Sequence, residues 1–119
     1  MENEKSVPEI QVDLSLKNLL DQIAESSDKV LQACREDNND GRVQEKELVI
    51  ECFSNIEKIC EEIKTNPADA KEKIQKVMVE LSHIREAIMA GKIGSRSLVA
   101  DQHLLTEGRI NWWLKDNPK

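Results

Sequence analysis

The sequence predicts an all-α fold, an antiparallel bundle of about four helices. The first observation is composition, since 34% of the 119 residues are charged and only 3% are aromatic. This balance is typical of helical bundles and coiled coils rather than of sheet proteins. The second is that the sequence lacks the alternating β-branched runs of half-buried strands. The third is a pair of apolar seams between residues 44 and 91, whose spacing fits helices.

Residues 44–91 are predicted to form a central helical hairpin. Asn66 is a suitable helix cap, Pro67 suits the first position of the second helix, and Gly91 is a suitable stop. A short turn between the two helices makes them antiparallel. Apolar residues recur every three or four positions, so each helix has one continuous seam. We predict that the following seam residues are buried together: Val49, Cys52, Ile56, Ile59, Ile63, Ile74, Val77, Leu81, Ile84 and Ile88.

The chain before this hairpin divides into a tail and a helix. Residues 1–11 are polar and without a period, which predicts a disordered tail ahead of a single helical domain at residues 12–119. An N-terminal helix is expected to begin soon after the tail and to end at Arg35. Ser26 and Ser27 interrupt its apolar seam, which predicts a bend or a close approach by a neighbouring helix.

A C-terminal helix is predicted after a connection that contains Gly91 and Gly94. Ser95 or Ser97 is expected to cap it. Its apolar pattern is less regular than that of the hairpin. Gly108 is a point at which the helix is expected to break or end early, because glycine disfavours helix interiors.

The C-terminal helix also carries the predicted partner-binding residues. Trp112 and Trp113 are adjacent, and adjacent positions on a helix differ by about 100° in direction. Both rings therefore cannot point into one narrow core. Exposed tryptophan beside leucine is typical of interface hot spots. We predict that Leu105, Arg109, Trp112 and Trp113 form a surface that binds another protein or a second copy of the chain; the alternative is that both rings cover the open end of the bundle.

One loop carries possible metal chemistry. Residues 36–47 have glycine at the sixth position, an apolar residue at the eighth and glutamate at the twelfth, and resemble the calcium loop of the EF-hand family. The resemblance implies side-chain oxygens from Glu36, Asn38, Asp40 and Glu47, and hence an alternative function as a calcium-responsive helical protein. Glutamate at the first position, where the family has aspartate, and the lack of a paired second loop predict that calcium is not bound tightly.

Charge and cysteine usage indicate which partners, metal sites and cell compartments are unsuited to this protein. A net charge of −6 without a basic stripe argues against nucleic acid and anionic membranes as partners. Three cysteines without a CxxC pair predict no zinc site and a reducing compartment. The polar N-terminus is unlike a signal peptide, and no stretch is apolar enough to span a membrane. We therefore expect a cytoplasmic or nuclear protein.

The motifs of enzymes are missing from the sequence. It contains no nucleophile–base pair with interpretable spacing, no glycine-rich phosphate loop and no metal cluster. We predict a protein without enzymatic activity, cofactor or metal, acting as an adaptor, scaffold or subunit of an intracellular complex. Amphipathic helices with apolar seams are a common means of such binding.

Overall fold

A computed structural model describes residues 14–36 and 44–117 of the chain, and these residues fold as an all-α four-helix bundle without strands. Each helix packs against two neighbours: the first on the second and fourth, and the third on the second and fourth. A 3₁₀ turn at Pro67–Asp69 precedes the third helix. The helices are α1 (Leu14–Arg35), α2 (Lys46–Thr65), α3 (Ala70–Met89) and α4 (Leu98–Asp116). The predicted fold class is confirmed.

Contacts between distant residues show that α1 runs antiparallel to α2. Lys64 Nζ, near the end of α2, lies 3.3 Å from Asp21 Oδ1 in the first half of α1. On the other side of α1, Arg109 Nη1 of α4 lies 3.4 Å from Ser26 Oγ. Helices α1 and α4 are far apart in sequence, and only the closing of the bundle makes them neighbours.

The predicted end signals lie at both ends of α3, with one correction. Asn66 was predicted to cap this helix, but it caps the 3₁₀ turn before it, where its Oδ1 accepts a hydrogen bond from the Ala68 N–H at 3.2 Å. Helix α3 begins only at Ala70, so Pro67 is the first residue of the turn rather than of the helix. Gly91 has a φ of +79°, the left-handed conformation that glycine adopts without strain. Its N–H donates to the Ile88 carbonyl at 3.0 Å, and the Lys92 N–H donates to that of Ala87 at 2.9 Å. These two bonds form a Schellman motif, which satisfies the last carbonyls of the helix.

The two apolar seams meet in the core, with two corrections. Ile59 and Ile88 were predicted to be buried, but both are only half-buried at the edge of the core. On α2 the inward position belongs instead to Cys60, which is 1% exposed. Ile59 and Cys60 both fit the helical spacing, and the rotation of α2 against its neighbours selects one. The other seam residues are buried as predicted: Val49, Cys52, Ile56, Ile63, Ile74, Val77, Leu81 and Ile84.

The connection into α4 is held by a serine cap and by a buried isoleucine. Ser97 caps the helix, since its Oγ accepts from the Ala100 N–H at 3.2 Å and donates to the Gly94 carbonyl at 2.7 Å. Ile93, the residue before Gly94, is buried in the core. The expectation that Gly108 interrupts the last helix is wrong, because α4 continues through it to Asp116. Packing against two neighbours outweighs a propensity cost of about 1 kcal/mol.

Two predictions concern residues outside the described ranges. The disordered tail was predicted for residues 1–11. Asn38 and Asp40 belong to the predicted calcium ligands. Both the tail and these two ligands stay predictions.

Candidate functional site

A groove of about 750 Å³ opens between α1 and α4. It is larger than two other surface cavities, of about 350 and 470 Å³. Helix α1 contributes mostly polar side chains to one wall, and α4 contributes most of the apolar ones to the other. All four residues predicted to bind a partner line it. The lining residues are Ser15, Asn18, Leu19, Gln22, Leu104, Leu105, Gly108, Arg109, Trp112, Trp113, Asp116 and Asn117.

The two tryptophans divide between solvent and core. Trp112 is 69% exposed, whereas Trp113 is half-buried and packs against the core cluster. Their rings diverge because successive side chains on a helix point about 100° apart. Trp113 therefore anchors α4 to the bundle, and Trp112 presents its ring to the surroundings. The Lys115 Nζ lies 5.9 Å from the centre of the Trp112 ring, at the outer reach of a cation–π contact.

Two leucines extend the apolar surface along α4. Leu104 is 61% exposed and Leu105 is 47% exposed. Gly108 lies one turn further along the helix, and a Cβ built there would have no atom within 4 Å. The groove floor at Gly108 is consequently bare helix backbone, which lets a ligand come close.

Arg109 joins the two walls of the groove. Its side chain is half-buried and donates to Ser26 on α1. Ser26 is buried, so the serine that interrupts the α1 seam receives a neighbour, as the sequence predicted. Sequence reasoning missed the α1 residues Asn18 and Gln22, because polar residues on an exposed helix face carry no signal of their own.

A buried polar cluster fixes α4 against α3. His103 is 2% exposed, and its Nε2 lies 3.2 Å from Glu107 Oε2. Arg85 Nη2 of α3 donates to the same carboxylate oxygen. Burial lowers the pKa of His103 even though Glu107 opposes the shift. The sequence did not reveal this cluster, since its members belong to two helices, although the four-residue spacing of His103 and Glu107 was a signal.

Two of the four predicted calcium ligands, Glu36 and Glu47, lie within the described residues. Glu36 is exposed and accepts from Gln32 Nε2 at 3.0 Å, and Glu47 is exposed in the first turn of α2. Within residues 14–36 and 44–117, no group of three histidine, cysteine or acidic side chains is placed to hold a metal ion.

The three cysteines lie in the core as free thiols. Burial raises the pKa of Cys52 and of Cys60 to about 12, with acidic neighbours adding to the effect at Cys52. A thiol with such a pKa is almost entirely protonated at neutral pH and is a poor nucleophile. These residues are therefore packing groups rather than reactive ones.

No helix in the described part of the chain has the length and apolar character needed to cross a bilayer. Comparison of the chain with protein-family models, with curated proteins and with solved structures finds no match.

Proposed function

We propose that this protein is a non-enzymatic helical interaction module that binds a partner protein through the α1–α4 groove. The single observation that carries the proposal is the exposure of Leu104, Leu105 and Trp112 side by side on one helix. Large apolar side chains that share one exposed surface cost hydration free energy unless a partner covers them.

The composition of the groove supports a protein as the partner. Tryptophan and arginine are the residues most enriched where binding energy concentrates, and Trp112 and Arg109 both line the groove. The polar α1 wall supplies hydrogen-bonding groups at the rim of an apolar centre, as interfaces commonly do. On this proposal the protein acts as an adaptor, a scaffold or a subunit of an intracellular complex, in the cytoplasm or the nucleus.

The proposal is tested by affinity capture from cell extract with the full chain and two variants. Trp112→Ala removes the exposed ring at the groove. Val79→Ala is the matched control, because Val79 is 56% exposed on α3 and does not line the groove. Truncation of a hot-spot residue to alanine typically costs at least about 2 kcal/mol of binding free energy, or about thirtyfold in affinity. We expect Trp112→Ala to lose proteins that both the original chain and Val79→Ala retain.

A photoreactive side chain at position 105 distinguishes direct contact from indirect capture. The same group at position 79 serves as its control. Crosslinked products specific to position 105 are expected. Identical captured proteins for the Trp112→Ala and Val79→Ala variants, and identical crosslinks at both positions, would refute the groove as the binding surface.

A further inference from the structure

On the exposed face of α4, the spacing of the residues is symmetric about Gly108. The central positions of this face are Asp101, Leu104, Gly108, Trp112 and Lys115, separated by three, four, four and three residues. All five are exposed. The spacing keeps them on one face, and the stripe is about 21 Å long at 1.5 Å per residue. We call these five residues the α4 stripe.

From this pattern we infer that the α4 stripe binds the same stripe of a second copy of the chain, antiparallel, with Gly108 on the twofold axis. The inference rests on the proposed function, because Leu104, Gly108 and Trp112 of the stripe also line the groove, and it names the occupant of that surface. A twofold interface pairs residues whose numbers are symmetric about its axis. Leu104 of each copy then meets Trp112 of the other, and Asp101 meets Lys115.

Charge favours this antiparallel arrangement. It forms two ion pairs between Asp101 and Lys115, one at each end of the stripe. A parallel arrangement would instead place Asp101 against Asp101 and Lys115 against Lys115. Exposed ion pairs contribute little affinity, but like charges in contact are unfavourable, so the end charges select the orientation and register.

Gly108 supplies an independent argument. Nothing in the described chain occupies the space beside it, so intrachain packing does not demand glycine. Glycine in a helix interior costs about 1 kcal/mol relative to alanine. Two helices that cross at this point would gain from its missing side chain, because their backbones could approach closely. The only glycine within α4 thus lies where the axis of the pair requires a small residue.

The size of the stripe sets the expected affinity of the dimer. The stripe is about 21 Å long and one helix wide, so we expect it to bury less than the roughly 800 Å² per partner of a standard interface. We therefore expect a reversible dimer with a dissociation constant on the order of micromolar.

Sedimentation equilibrium of the full chain over a wide concentration range tests the pairing. The variants Asp101→Lys and Lys115→Asp each place like charges opposite each other at both ends. For each variant alone, the dissociation constant of the dimer is expected to rise by up to about tenfold. An equimolar mixture of the two restores opposite charges at both ends, and is expected to form a heterodimer with the affinity of the original chain.

Gly108→Arg separates association from folding. The new side chain points into open space, so the helix is expected to keep or raise its melting temperature while the dimer is lost. A chain that stays monomeric at every concentration, or a variant mixture that does not associate, would overturn the inference. Capture that depends on Trp112 would still support the proposed function in that case, and its absence would count against the proposed function separately.

Discussion

The central hairpin (α2 and α3) differs from the terminal pair (α1 and α4) in which side chains it buries and which it exposes. Within the described residues, every buried polar or charged side chain belongs to the terminal pair or to the cap of α4. Four of the six exposed large hydrophobic side chains also belong to the terminal pair. The buried polar residues are Ser26, Ser27, Ser97, Gln102, His103, Thr106 and Glu107, and the exposed hydrophobic ones are Leu14, Val79, Met89, Leu104, Leu105 and Trp112.

This difference shows that the hairpin and the terminal pair contribute differently to the stability of the bundle. The hairpin buries apolar side chains in the order that its spacing dictates, and this burial drives folding. In the terminal pair, polar side chains occupy some of the core positions, and buried polar groups need hydrogen bonds. Thr106 is an example, since its Oγ1 donates to the Gln102 carbonyl at 2.8 Å. The terminal pair also leaves four large apolar side chains exposed, three of them on α4, where we propose that a partner binds.

The largest change in the free energy of unfolding is expected from a substitution in the hairpin seam. Leu81→Ala removes a side chain that is fully buried between α3 and its neighbours. It should lower the free energy of unfolding by about 2–5 kcal/mol, because the transfer free energy is lost and a cavity remains. Chemical denaturation measures this loss. An effect below about 0.5 kcal/mol, as expected for the exposed control Val79→Ala, would show that the seam is not the core.

A smaller loss is expected in the polar cluster that joins α4 to α3. Glu107→Ala removes the carboxylate that accepts from Arg85 and lies 3.2 Å from the buried His103 Nε2. The free energy of unfolding should fall by about 1–3 kcal/mol, because a hydrogen bond to a charged group is lost. The exposed Glu86→Ala on α3 is the control. Equal stability of the two variants would mean that the cluster contributes nothing.

A still smaller effect, with a pH dependence, is expected where the hairpin meets α1. Burial, together with the nearby Asp28 carboxyl, raises the pKa of Glu57 to about 7. The native state therefore holds a proton that the unfolded state releases near pH 4.5. Stability from this group is complete below about pH 4.5 and is lost as the pH rises through about 7.

Glu57→Gln keeps a neutral side chain of the same shape. It should raise the free energy of unfolding at pH 8 by on the order of 1 kcal/mol and leave it nearly unchanged at pH 4. Thermal unfolding of both proteins at the two pH values measures the difference. A gain of equal size at both values would contradict a raised pKa.

The smallest effect on stability is expected at the proposed binding surface. Trp112→Ala truncates the exposed ring and should change the free energy of unfolding by no more than about 0.5 kcal/mol. Trp113→Ala is the matched comparison and should cost several times more, because Trp113 packs on the core. Similar losses from both variants would show that Trp112 is a structural residue.

Much of the hairpin could be predicted because its signals are local. Asn66 caps the turn that leads into α3, and Gly91 ends α3, each through bonds to residues within a few positions. The seam spacing sets which face of each helix turns inward. Seam spacing leaves small choices open, as at Ile59 and Cys60. The residues Leu105, Arg109, Trp112 and Trp113 could be chosen from residue type and position on one helix, and the structure brings all four to one groove.

The sequence by itself determined the helical fold and most of the inward-facing positions of the hairpin. Only the tertiary structure decided that Trp112 is the exposed one, that α1 supplies the other wall of the groove, and that Arg85 joins His103 and Glu107. The reason is physical. Helical periodicity acts over one or two turns, whereas the rotation of a helix and its choice of neighbour depend on side chains that meet only when the whole bundle closes.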